Sequence, residues 1–178
     1  MSVLAERLLV VHDSLTDARL SHAFGGAIAL GYCTLEPRGT RDLDVNVFVS
    51  PDRAADVLGA LPDSVTITAL NSRQLTREGQ VRVWWEDTPI DLFLDVLSFH
   101  REVAKSVRHV SFMDRTIPVL DCTALAVFKA MFDRTRDWAD IEAMVEVSAI
   151  DLDAAANWVQ EMDGPDSLRA RRLMSLRT

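Results

Sequence analysis

Arg38-Gly39-Thr40-Arg41-Asp42-Leu43-Asp44-Val45-Asn46-Val47-Phe48-Val49, reached from Gly25-Gly26 through a short helical run, is the stretch from which the fold of this chain is read. Leu43, Val45, Val47 and Val49 alternate with Asp42, Asp44, Asn46 and Phe48, which is the period of a β-strand. Side chains two apart on a strand share a face, so Asp42 and Asp44 point the same way about 7 Å apart. Neighbouring carboxylates repel each other, and a hard divalent cation is their natural counter-ion. Upstream, Ala23-Phe24, then Gly25-Gly26, then Ala27-Ile28-Ala29-Leu30 reads as strand, tight turn, helix. Such a turn leaves backbone N–H groups free to hold phosphate oxygens. A phosphate cradle beside a carboxylate pair points to metal-assisted chemistry on a nucleotide.

Working outward, residues 2–20 suit one or two amphipathic helices, Ser21 to Phe24 a short strand and Gly26 to Tyr32 a helix. Pro51 opens a helix to about Leu61, where Pro62-Asp63 breaks it. Val65 to Leu70 alternates as a strand, and Val81 to Glu86 and Pro89 to Val96 follow as two more, separated by a turn at Asp87-Thr88. In the last of these, Asp91, Phe93 and Asp95 share one face and Ile90, Leu92, Leu94 and Val96 the other. Acidic side chains in an apolar strand are costly to bury unless a cation pairs with them. Phe99 to Ser106 suits a short helix, and 107–112 and 116–120 a strand pair turning at Met113-Asp114-Arg115. Helices capped by Asp121 and Asp151 flank one begun near Arg136, and Gly164-Pro165 precedes an Arg-bearing last helix. The expected fold is α+β: a mixed sheet of five to seven strands flanked by helices, with a helical C-terminal third. A catalytic core over 1–120 is expected to carry residues 121–178 packed on it as one compact unit.

The motif Gly25-Gly26 followed by Arg38-Gly-Thr-Arg-Asp42-Leu-Asp44-Val resembles the signature of the DNA polymerase β-like nucleotidyltransferase superfamily. Within it, the chain is most similar to the AbiEii/MenT-type nucleotidyltransferase toxins over roughly residues 20–145. Many AbiEii-type members carry Lys just before the two glycines, where this chain has Phe24. The resemblance implies the nucleotidyltransferase fold and transfer of NMP from an NTP to a hydroxyl. Asp42 and Asp44 would ligate Mg²⁺, with Asp91 as third carboxylate and Asp95 in reserve. Gly25, Gly26, Thr40 and Arg41 would contact the nucleotide, although Thr40 also suits a purely loop-fixing role. Lys129, by itself a lysine snorkelling from an apolar helix, would by resemblance be a catalytic contact to the triphosphate. Asp137 and Asp140 match the family's Asp-x-x-Asp-Ile run, and capping or pairing with Arg134 or Arg136 serves them equally well. The implied acceptor is the 3′ end of tRNA, which would make the protein a toxin restrained by a cognate antitoxin protein. A small molecule such as an aminoglycoside or lincosamide is the alternative acceptor, and a non-catalytic nucleotide-binding module the alternative class.

Composition limits these readings. A net charge of −8 over 178 residues argues against a broad nucleic-acid footprint, although Arg169, Arg171, Arg172 and Arg177 follow Ser167 with no acid among them. That tail reads either as a helix end favourable to the dipole or as phosphate contacts to RNA. Cys33 and Cys122 lack metal spacing and read as separate buried thiols of a reducing compartment. With no membrane-length apolar run and no leader pattern, a cytoplasmic protein without membrane contact is expected. Histidines 12, 22, 100 and 109 are scattered without zinc-ligand spacing. Of Trp84 and Trp85, one is expected to pack inward, the other being a candidate for base stacking.

Overall fold

The structure is a computed structural model describing residues 2–177. The chain divides into two compact units, one of residues 1–28 and 39–119, the other of residues 29–38 and 120–178.

The first unit holds the sheet. Its strands are β1 (His22–Phe24), β2 (Leu43–Val47), β3 (Val65–Thr66), β4 (Gln80–Trp85), β5 (Thr88–Leu94), β6 (Arg108–Phe112) and β7 (Arg115–Val119). Among the described residues these form one mixed sheet in the order β3-β4-β5-β2-β1-β7-β6. The central pairs β2/β5 and β1/β7 are parallel, and the remaining pairs antiparallel. Its register is set by apolar alternation. Leu43, Val45 and Val47 of β2 lie beside Ile90, Leu92 and Leu94 of β5, and these in turn beside Val83 and Val81 of β4. All of these side chains are at most 4% exposed. Burying each contributes about 1.5–3 kcal/mol, and a slip of one residue would turn the whole set to the opposite face. The core therefore fixes which polar residues become neighbours on the other face.

Helix α1 (Val3–Asp17) buries Arg7, Leu8, Val11 and Leu15 along one stripe, with the Ser2 hydroxyl accepting from the Ala5 N–H. Arg7 is the unusual member of that stripe. Its guanidinium reaches the β4–β5 turn, bonding Asp87 Oδ1 at 2.7 Å together with Glu86 and the Thr88 hydroxyl, and lies over the Trp85 ring. Trp85 is thus half-buried under a cation, and Trp84 is 47% exposed. After a single 3₁₀ turn at Pro51–Arg53 comes α3 (Ala54–Ala60).

The strand expected over 65–70 stops at Thr66, and α4 (Ala69–Glu78) begins instead. Thr68 and Asn71 cap it reciprocally: Thr68 Oγ1 accepts from the Asn71 N–H, and Asn71 Oδ1 accepts from the Thr68 N–H at 2.8 Å. Gly79 ends it in the left-handed region, at φ 67°. Helix α5 (Ser98–Val103) follows β5.

Helix α2 (Gly26–Thr34) starts in the first unit and continues into the second. The second unit is otherwise α6 (Cys122–Phe132), α7 (Thr135–Glu146), α8 (Leu152–Asp163) and α9 (Leu168–Ser175). Helix α6 contacts α7, α8 and α9, around buried Leu125, Val127, Trp138, Ile141, Val159 and Leu173. Asp121 and Asp151 cap α6 and α8, each accepting from the N–H three residues on.

Cys33 and Cys122 are not separate thiols. They form a disulfide across 89 residues, with Cα atoms 5.6 Å apart, joining the last turn of α2 to the first residue of α6. Spacing along the chain carries no trace of this pairing, because it depends on two helices meeting within the unit. The bond also removes the sequence ground for assigning a reducing compartment. Among the described residues no helix is long and apolar enough to cross a membrane.

Candidate active site

One polar row crosses three neighbouring strands of the first unit, β4, β5 and β2, and ends at the glycine that follows β1. Arg82 on β4 is opposite Asp91 on β5, and Asp91 is the register partner of Asp44 on β2. The carbonyl of Asp44 accepts a 2.8 Å hydrogen bond from the N–H of Gly25, which continues β1. Arg82, Asp91 and Asp44 each lie between the apolar residues that fix the register, so strand parity directs them to the face opposite the buried one. Asp42 lies two residues before Asp44 on the same parity, and its Oδ1 accepts from the Thr40 hydroxyl. Asp95 is four residues beyond Asp91, about 13 Å along the strand direction, and its N–H bonds the Val49 carbonyl.

At the far end of the row the Gly25-Gly26 turn meets the carboxylate of Asp44. Gly26 has φ 51°, and a Cβ there would fall inside the envelope of the Asp44 Oδ2 and Cγ atoms. Absence of a side chain at Gly26 therefore lets the Asp44 carboxylate lie against the start of α2, where the helix dipole favours negative charge. Sequence reasoning assigned the glycines to phosphate approach alone and missed this contact.

Arg82 is the second residue that sequence reasoning missed. Its Nε and Nη2 donate to the two oxygens of Asp91 at 2.7 and 2.6 Å, a bidentate fork. Hydrogen bonding to Asp91 raises the guanidinium's affinity for its proton against a loss from burial, and the charges of Asp91, Asp42 and Asp44 add to the rise. One cation thus feels all three carboxylates. Arg41 is exposed, and its charge helps hold the Asp87 carboxyl below the usual range, after the larger effect of the Arg7 hydrogen bond.

The donor set suits a hard cation: carboxylate oxygens on one face, with a guanidinium standing where positive charge is wanted. Among the described residues, however, no three acidic, histidine or cysteine side chains are gathered closely enough to hold an ion. Asp91 is turned to Arg82 instead.

Lys129 belongs to a separate charge network within the second unit. Its ammonium is buried, 2.6 Å from Asp140 Oδ2 and 3.6 Å from Asp137 Oδ1. Asp140 also accepts a fork from Arg38, at 2.8 and 3.0 Å, and Asp137 one from Arg134, at 2.6 and 3.2 Å. Burial works to raise the Asp137 carboxyl, yet the Arg134 hydrogen bonds and the Lys129 charge outweigh it and hold it low. Two carboxylates among three cations make a network whose buried members are all compensated.

The C-terminal arginines are similarly engaged. Arg169 pairs with Asp163 and Asp133, Arg171 donates to the Asp166 carbonyl, Arg172 stacks 4.1 Å from the Trp138 ring and Arg177 pairs with Asp153. In the first unit, His22 Nδ1 lies 2.8 Å from the Leu20 carbonyl, which makes Nδ1 the protonated nitrogen. His22 Nε2 is then the acceptor for His12 Nδ1 at 2.9 Å, a pairing the ten-residue spacing did not suggest.

No protein-family model and no curated protein sequence matches the chain. Six chains among solved structures do match. One is the antibiotic-resistance factor ANT(2'')-Ia, known for substrate-regulated conformational dynamics. It aligns over 97% of this chain and 89% of its own, with a TM-score of 0.56 and 10% sequence identity. The chain thus has a nucleotidyltransferase-like fold.

Proposed function

We propose that this protein is a Mg²⁺-dependent nucleotidyltransferase, which moves NMP from an NTP to a hydroxyl and releases pyrophosphate. The observation that carries the reading is the register that sets Asp91 beside Asp44, with Asp42 on the same parity and the Gly25-Gly26 turn at the end of the row. The likeness in fold to an aminoglycoside nucleotidyltransferase is consistent with it.

Asp42, Asp44 and Asp91 would hold the metal, which when bound neutralises charge on the triphosphate and on the attacking oxygen. The remaining work falls to the chain. Thr40 orients Asp42 through its hydroxyl. Gly26 keeps Asp44 against the start of α2. The Gly25 N–H is given to the Asp44 carbonyl, so it is the first N–H groups of α2 that would meet phosphate oxygens. Asp91, on the acceptor side, takes the hydroxyl proton as the new bond to the α-phosphorus forms and the α–β bridge breaks. Positioning and charge compensation supply most of the acceleration in such a site. Lys129, held between Asp140 and Asp137, acts in this reading by ordering the helical unit.

For the acceptor, a hydroxylated cationic small molecule such as an aminoglycoside or lincosamide has specific support. The net charge is −8, and the C-terminal arginines that suited RNA are engaged by acids, a carbonyl and a ring of their own unit. Transfer to the 3′ end of tRNA, under control of an antitoxin protein, is the second reading and rests on the Gly25-Gly26 and Asp42/Asp44 motif. Incubation with Mg²⁺, each labelled NTP and either total tRNA or a panel of these antibiotics separates the two. Label on an antibiotic supports the first acceptor and label at the tRNA end the second. If no pyrophosphate is released with any acceptor, the proposed reaction is wrong.

A further inference from the structure

We propose that Arg82 is a built-in counter-ion that withholds the third carboxylate, so that Asp91 joins Asp42 and Asp44 around a metal only when the guanidinium lets go. The inference rests on the metal-dependent reading above and adds to it a residue that governs how the site loads.

Geometry sets a cation and the Arg82 guanidinium in competition for Asp91. The Arg82 fork takes one lone pair of each Asp91 oxygen, one through Nε and one through Nη2, and sets a positive charge beside both, so a cation arriving at Asp91 meets the guanidinium's charge. The competition is local, because Arg82, Asp91 and Asp44 occupy consecutive positions of one cross-strand row. Among the described residues no three acidic side chains form a ligand cluster, and Asp91 is engaged by Arg82.

The clamp is also releasable. The Arg82 side chain is 50% exposed, whereas that of Asp91 is 17% exposed. Water on the arginine side screens the pair, and an ion pair of this kind contributes little to stability. Arg82 can leave into solvent, while Asp91 stays on a strand whose alternate residues Ile90 and Leu92 are buried. A site whose competent form is populated only part of the time binds more weakly by that fraction. Arg82 would thus lower the resting metal affinity and be displaced when metal arrives. Once displaced, its charge is free to face the anionic triphosphate.

A plain cross-strand salt bridge would have a different signature. Its loss would loosen the β4–β5 hairpin and leave metal binding unchanged or weaker. The decisive measurement is Mn²⁺ affinity by paramagnetic resonance on the intact chain, for wild type, Arg82→Gln, Arg82→Lys, Asp42→Asn, Asp44→Asn and Asp91→Asn. Arg82→Gln should bind Mn²⁺ about fivefold more tightly with little change in unfolding midpoint, and Arg82→Lys should fall between. In an Asp91→Asn background, Arg82→Gln should have no effect. Adding Mg²⁺ to the wild type should shift the Arg82 Hε resonance. Equal or weaker Mn²⁺ binding by Arg82→Gln, with Asp42→Asn and Asp44→Asn both damaging, overturns the clamp and leaves the metal reading standing. Mn²⁺ binding indifferent to Asp42→Asn and Asp44→Asn overturns the metal reading, and the clamp with it.

Discussion

The carboxylate of Asp44 occupies the space in which a side chain at Gly26 would begin. Gly26 also has φ 51°, a conformation that costs an L-residue about 1–2 kcal/mol. Gly26→Ala should therefore lose about that much stability and displace Asp44 as well. A displacement of 1 Å in such a site can cost about a hundredfold in rate. Thermal unfolding and single-turnover NMP transfer measure the two effects. Wild-type turnover in Gly26→Ala would show that Asp44 does not depend on this contact.

Thr40 restrains Asp42 through its hydroxyl, which donates to Asp42 Oδ1 and accepts from the Asp42 N–H at 3.4 Å. Thr40→Val removes the donor and keeps the shape, so Mn²⁺ affinity should fall about fivefold, the equivalent of about 1 kcal/mol, without a change in unfolding midpoint. Thr40→Glu adds a fourth negative charge near Asp42 and should suppress NTP binding further. A phosphate on Thr40, with about two negative charges, would act in the same direction. Calorimetric titration with a non-hydrolysable NTP tests both, and unaltered binding by Thr40→Glu would rule out such a switch.

Lys129 neutralises two buried carboxylates. Removing one member of such a group leaves the others short of compensation, typically at about 3–5 kcal/mol. Lys129→Met should accordingly unfold at lower denaturant, with Arg38 and Arg134 softening the loss on Asp140 and Asp137. Denaturant titration reads the change. A variant of native stability that had lost only NTP affinity would return Lys129 to the triphosphate role.

Because the Cys33–Cys122 bond closes a span of 89 residues, it restricts the unfolded chain considerably. Disulfides of this kind typically stabilise by about 2–4 kcal/mol. Reductant, or the paired substitution Cys33→Ser with Cys122→Ser, should lower the unfolding midpoint. The chain has only these two cysteines, so the denatured, unreduced protein should take up no alkylating reagent.

Burial holds His22 and His100 below the ordinary value of 6.5. Burial likewise lowers His12, against Asp13 and with Arg115 and His109. Their folded values lie below the unfolded one, so between the two the unfolded chain binds more protons. Stability should then be full above about pH 6.5 and fall as the pH drops below it. A second loss should follow at lower pH, as Asp137, held low by Arg134 and Lys129 against its burial, takes up its proton. Unfolding midpoints from pH 8 to about pH 2 test the order, and His22→Asn should flatten the upper step.

Most of the sheet could be read in advance because its central strands alternate strictly. Leu43-Asp44-Val45 and Ile90-Asp91-Leu92 announce both their period and their two faces, and parallel pairing brings Asp44 and Asp91 level. Helix α4 was missed because Val65 to Leu70 alternates like a strand, although Thr68 and Asn71 spell a capping signal three residues apart. Arg82 was hidden by one misplaced residue. A turn at Asp87-Thr88 would put Trp84 opposite Asp91, whereas the observed pairing of Trp85 with Thr88 puts Arg82 there. Glu86 makes this turn at φ 52°, which a non-glycine residue does not advertise. The Lys129–Asp140 pair and the disulfide each join different helices, and no local pattern encodes such meetings.

That hairpin also acts as a ruler. Arg82 and Asp91 face each other because they stand at equal distances from a turn of two residues, which Arg7 grips from helix α1. An insertion or deletion of one residue at Glu86-Asp87 that kept a two-residue turn would set Val81 or Val83 against the aspartate and leave its charge uncovered. Among other sequences of this fold, an arginine nine positions ahead of the third aspartate would then separate guarded sites from those standing permanently open to metal.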